Sequence, residues 1–100
     1  MDKAFVPTGQ LILVNNSATQ VGNFGLPGAS YRVRNLSGSA QYFTWGETSS
    51  VSSIGAPSAG APSPNTIGMV GNSVEVFSGI GPFVIASSAT GFEFQQGDGI

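Results

Sequence analysis

Hydrophobic and polar positions alternate with a period of two along much of this chain. In ASYRVRNL, Tyr31 and Val33 fall on one side and Arg32 and Arg34 on the other. SVEVF sets Val74 and Val76 opposite Glu75, and GFEFQ sets Phe92 and Phe94 opposite Glu93. Successive side chains of an extended strand point to opposite faces, so each run predicts a strand with one buried face. AQYFTWG divides Tyr42 and Thr44 from Phe43 and Trp45. QLILV and PFVIA are almost uniformly apolar, the pattern of strands covered on both faces or packed across a sandwich. No window repeats apolar residues at i, i+3, i+4 and i+7, so essentially no helix is expected.

Turn chemistry punctuates these runs: NN at 15 to 16, LPG at 26 to 28, LSGS at 36 to 39, VGN at 70 to 72, SGIGP at 78 to 82 and SSATG at 87 to 91. A spacing of about 8 to 12 residues is the rhythm of an all-β sandwich or barrel. The expected strands cover roughly 10 to 15, 19 to 24, 29 to 36, 40 to 46, 49 to 54, 73 to 78, 82 to 87 and 91 to 96. Eight short antiparallel strands in 100 residues fit a small jelly-roll-like sandwich or another Greek-key arrangement. Periodicity leaves the order of the strands open.

The segment GAPSAGAPSP, residues 55 to 64, holds three of the six prolines and no charge. With 54 residues before it and 36 after, neither side is long enough for a separate core, so the chain reads as one domain over residues 1 to 100. The segment is then part of a long Pro/Gly/Ser loop over residues 55 to 72. Its prolines fix φ near −65° and favour a stiff, extended arm. A second arm, extended or mobile, is expected over residues 1 to 9.

Composition narrows the function classes. Charged residues are only 8% of the chain, while Ser, Thr, Asn and Gln number 31, so the surface is mostly neutral and polar. Forty per cent apolar residues and ten aromatics speak for a packed fold rather than disorder. A net charge of −2 and three basic residues give a poor footprint for nucleic acid or anionic lipid. Nothing approaches the roughly 20 apolar residues of a membrane span. The opening MDKAFVPTGQLILVNN lacks the pattern of a secretory signal, which makes the Asn-X-Ser sequences at Asn15 and Asn35 chance matches.

Cys and His are both absent, which removes disulfides, soft-metal sites and imidazole or thiol chemistry. Acid and base candidates shrink to Asp2, Glu47, Glu75, Glu93 and Asp98, with Glu75 and Glu93 reading as outward strand charges. No serine sits in a nucleophile motif, and no glycine-rich segment leads into a helix that could cradle phosphate. Gln95, Gln96 and Asp98 in QQGDGI supply too few oxygens for calcium and read as a C-terminal turn. The chain is expected to be no enzyme and to carry no catalytic residue, metal or cofactor.

Arg32 and Arg34 are expected to pair with Glu75 or Glu93 across the sheet, or to meet a partner's carboxylate. Trp45 with Tyr42 supports a different reading, a carbohydrate-binding sandwich of a tail or receptor-binding structure in which the rings stack on a sugar. For a sole tryptophan the plainer expectation is burial in the core.

The stretches YRVRNLSGSAQYFTWGETSSV and NSVEVFSGIGPFVIASSATGFEFQQGDGI resemble small all-β virion proteins of tailed bacteriophages over roughly residues 29 to 100. In those proteins an R-V-x-N strand leads to an aromatic strand with a W/F-G turn, then V-E-V-F and a closing G-D-G. The resemblance implies a capsid cement or decoration protein of jelly-roll type, made in the host cytoplasm and located on the virion surface. It implies the major capsid protein and further copies of the chain, as a homotrimer or dimer, as partners, and no nucleic acid or membrane. The candidate interface comprises Lys3, Phe5, Arg32, Arg34, Pro57, Pro62, Pro64 and Met69. The insertion around GAPSAGAPSP is longer than that family's pattern.

Overall fold

The computed structural model describes residues 6 to 22 and 30 to 98. Eight strands are present: β1 (Val6–Val14), β2 (Thr19–Gln20), β3 (Ser30–Asn35), β4 (Gln41–Gly46), β5 (Thr66–Met69), β6 (Val74–Ser78), β7 (Phe83–Ala86) and β8 (Phe92–Asp98). No helix occurs among the described residues. Two four-stranded antiparallel sheets stack as a sandwich, sheet A in the order β1-β8-β3-β6 and sheet B in the order β2-β7-β4-β5. The first strand pairs with the eighth, the second with the seventh, the third with the sixth and the fourth with the fifth. Such a nested hairpin, rolled so that β8 meets β3 and β7 meets β4, is a jelly roll.

Alternation places the core as the sequence implies in three central strands. Tyr31 and Val33 of β3, Phe43 of β4, and Phe92 and Phe94 of β8 are all buried. Phe43 sits at the centre, edge-to-face with Phe77, Phe92 and Phe94 at centroid distances of 5.8, 5.2 and 5.1 Å. Each such pair adds about 0.5–1.5 kcal/mol to the burial of the rings themselves.

Several expectations are corrected. The segment 49 to 54 is not a strand, and the fifth strand is instead Thr66–Met69, inside what the composition marks as loop. Val51 lies against Gly46, and the Ile54 amide donates to Thr44 Oγ1 at 3.3 Å, so this stretch runs as a strap over sheet B. Residues 6 to 9 belong to β1 rather than to an arm. Of the two readings of QLILV, the strand packed across a sandwich is the one found: Val14 is buried and Ile12 packs on the core, while Leu11 and Leu13 are 55% and 60% exposed.

SVEVF faces the opposite way from its valine pattern. Phe77 and Glu75 share the inner face, opposite Tyr31 and Val33, and Val74 and Val76 lie outside. Turning the larger ring of Phe77 inward against Phe43 buries more apolar surface than either valine could. Because β6 is the edge of its sheet, Glu75 still reaches water.

GAPSAGAPSP also differs from a stiff extended arm. Ser58 and Ala61 exchange backbone hydrogen bonds of 3.2 and 2.9 Å, closing a two-residue turn at Ala59 and Gly60. Gly60 has φ +76°, the left-handed value such a turn requires at its third position.

Candidate docking face

The outer face of sheet A presents two rows of side chains fixed by strand register. Across the order β1-β8-β3-β6 the first row reads Leu13, Glu93, Arg34, Val74. The second reads Leu11, Gln95, Arg32, Val76. Each row therefore carries an aliphatic residue at both margins and polar or charged residues between. Leu11, Leu13 and Val74 are exposed at 55%, 60% and 45%, and Val76 is half-buried. Single exposed apolar residues are ordinary on a protein surface, but two flanking strips on one flat sheet form a patch.

Within the first row, Arg34 Nη1 lies 3.7 Å from Glu93 Oε1. Both side chains reach water, so the pair contributes only a few tenths of a kcal/mol. Arg32 faces Gln95 and Val76 in register and has no ion pair among the described residues. The face thus holds two guanidinium groups and one carboxylate on a chain whose net charge is −2.

Of the residues expected at an interface, Arg32 and Arg34 lie side by side on this face. Pro57, Pro62 and Pro64 are exposed on the long loop, whose base is tied to sheet B through Thr44 and through a 2.9 Å bond from the Trp45 amide to Asn65 O. They belong to the other layer from the arginines. Met69 is corrected: at 2% exposure it is part of the core, inward on β5 opposite Gln41, and no partner can reach it. Lys3 and Phe5 lie outside the described residues.

Tyr42 and Trp45 do not form one stacking platform. Trp45 shares the inner face with Val84 and packs against the core. Tyr42 points to the outer face of sheet B, where its ring lies over Gly68 closely enough that a Cβ there would come within 2.8 Å. A cleft of about 300 Å³ between the strap and β4 is bordered by Thr44, Thr48, Ser52 and Asn65, and a recess of about 360 Å³ between β1 and β2 by Gln10, Gln20 and Gln96. Neither cleft is lined by a charged side chain. No group of three or more metal-ligating side chains occurs among the described residues.

Leu11, Leu13, Val74, Val76, Glu93 and Gln95 complete the face; Glu93 is the partner expected for the arginines, whereas the leucines are residues that the sequence reading misses. The signal was present in QLILV, where a period of two read together with a single buried face leaves two leucines outside. Comparison with protein-family models, curated proteins and solved structures finds no match to this chain.

Proposed function

We propose that this chain is a non-enzymatic structural protein of a phage virion, a cement or decoration protein that works by assembly on the outer surface of the capsid. The reading is carried by the outer face of sheet A, where Leu11, Leu13 and Val74 stand in water along the margins of a surface whose centre holds Arg32, Arg34 and Glu93. Covering such a face removes apolar area from water at both margins and sets the central charges against charges of a partner. The resemblance of residues 29 to 100 to small phage virion proteins supports this setting, with the major capsid protein and sister copies as partners. Many weak contacts repeated over a lattice then sum to firm attachment through avidity.

Capsids lacking the protein, mixed with the purified chain and sedimented, test the proposal. Saturable binding at a fixed number of copies per capsomer is expected. Leu13→Asp is expected to lower occupancy at subsaturating concentration by at least about tenfold, equivalent to ~1.4 kcal/mol. Absence of binding, or unchanged binding by the folded Leu13→Asp protein, overturns it. Deleting residues 56 to 64 separates the loop: unchanged occupancy removes the prolines from any contact.

A further inference from the structure

The first row on the outer face of sheet A is antisymmetric in charge, and that property selects a partner. Reading across β1-β8-β3-β6, the first row runs aliphatic, acid, base, aliphatic. A second copy laid face to face, turned by a two-fold axis parallel to the strands and passing between β8 and β3, presents the same row reversed. Leu13 then meets Val74 of the copy, Glu93 meets its Arg34, Arg34 meets its Glu93, and Val74 meets its Leu13. In the second row Leu11 meets Val76, and Gln95 offers its amide oxygen to Arg32, the guanidinium that has no ion pair within its own chain among the described residues.

The other in-plane two-fold, perpendicular to the strands, fails the same test. It would set Arg34 against Arg32 twice and leave Glu93 facing Gln95. Both axes leave the strands of the two sheets aligned, as face-to-face sheets ordinarily are, so the pairing of charges is what separates them. We infer that the outer face of sheet A is an isologous interface with a second copy of this chain, in which Arg34 and Glu93 of both copies form one alternating cluster of four charges. Four strands about 4.8 Å apart and five residues long give a face of roughly 19 by 17 Å. That is well under the ~800 Å² a side of a standard interface, so the dimer is expected to be reversible, with Kd micromolar or weaker.

The inference rests on the assembly reading above and gives this face to the sister copy, so that Leu13→Asp lowers capsid occupancy through the lost dimer; it is measured without capsids, and a failure to bind capsids leaves the dimer question intact. Sedimentation equilibrium of the wild-type chain should show a shift from 10.1 kDa toward twice that mass as concentration rises to about 1 mM. Arg34→Glu makes the centre of the face acidic and Glu93→Arg makes it basic; each alone should remain monomeric at that concentration while keeping a cooperative thermal transition. Mixed in equal amounts, the two variants should form a heterodimer, because each acidic position then meets a basic one across the two-fold. A wild-type chain monomeric at about 1 mM, a trimer, a mixture that stays monomeric, or single variants that dimerise like wild type would each overturn the inference.

Discussion

Gln41 donates through Nε2 to Asn35 Oδ1 at 2.6 Å, joining β4 to β3 across the interior at one end of the sandwich. Asn35 is fully buried and Gln41 nearly so. The Asn35 amide nitrogen points at the carbonyls of Ser39, Met69 and Val70, and its oxygen also accepts the Ser37 amide at 2.9 Å. Gln41 reaches the Gly91 carbonyl and accepts from Ser88 Oγ at 2.7 Å. Three turns, 36 to 40, 70 to 73 and 87 to 91, are thereby tied to one another through two side chains.

Asn35→Ala should consequently be among the most damaging polar substitutions in the protein. It leaves buried carbonyls and a buried amide without partners at about 1–3 kcal/mol each, partly relieved by water entering the gap. A net loss of about 3 kcal/mol is expected, seen as a Tm lowered by roughly 12–24 °C in thermal unfolding. A Tm within a few degrees of wild type would show that the end of the sandwich is held by something else.

Two glycines with nearly the same backbone angle should respond very differently to alanine. Gly91 has φ +73°, and a Cβ there would fall 1.9 Å from the Val14 carbonyl oxygen, a backbone atom that cannot swing aside. Gly60, at φ +76°, has open space around it. Gly60→Ala is expected to cost about 1 kcal/mol for the left-handed conformation alone. Gly91→Ala is expected to cost about 3 kcal/mol or more, since the β1–β8 crossing must move. Denaturant midpoints of the two variants measure the contrast.

Tyr31 gives the fold an alkaline limit. Burial raises its pKa above the ordinary 10.0, because the phenolate would lose its hydration among Phe94, Gly22 and Gly81. The unfolded chain therefore ionises first, binds fewer protons than the folded one above about pH 10, and is favoured as pH rises. Tyrosine-linked stability should be intact below about pH 10 and decline from there to the folded pKa. Urea unfolding at pH 8 to 11.5 should show that decline in wild type and a shallower one in Tyr31→Phe.

The legible parts of the fold are those where alternation and burial agree. SYRVRN and GFEFQ show which side chains enter the core, and the turn spacing yields the number of strands. The illegible parts have physical causes. In SVEVF, two valines outnumber one phenylalanine, but a single ring carries more burial than the pattern of hydrophobic letters conveys. TIGM lacks alternation of its own and becomes a strand only because β4 offers it a ladder, whereas VSSI, with better strand propensity, is drawn onto the sheet as a strap by Thr44. Asn35 shares the side of Tyr31 and Val33, and Gln41 that of Phe43, but polar letters at strand ends do not reveal that three turns close around them. Of the docking face, the arginines were legible, but the leucines beside them were not, because an apolar run looks the same whether a partner or the core covers it.

Pairing the first strand with the last also sets when the molecule can fold. Val14 stands opposite Phe92 and Leu11 opposite Gln95, contacts separated by nearly the whole described chain. A polypeptide emerging from the ribosome cannot close sheet A until β8 is free of the exit tunnel, so its earlier strands wait with their edges unpaired. Contacts of such long sequence separation place folding in the millisecond to second range rather than the microsecond range of helical bundles. During that interval the unpaired strands depend on one another's late arrival, and a shortage of β8 through truncation would strand the rest of the sandwich half-built.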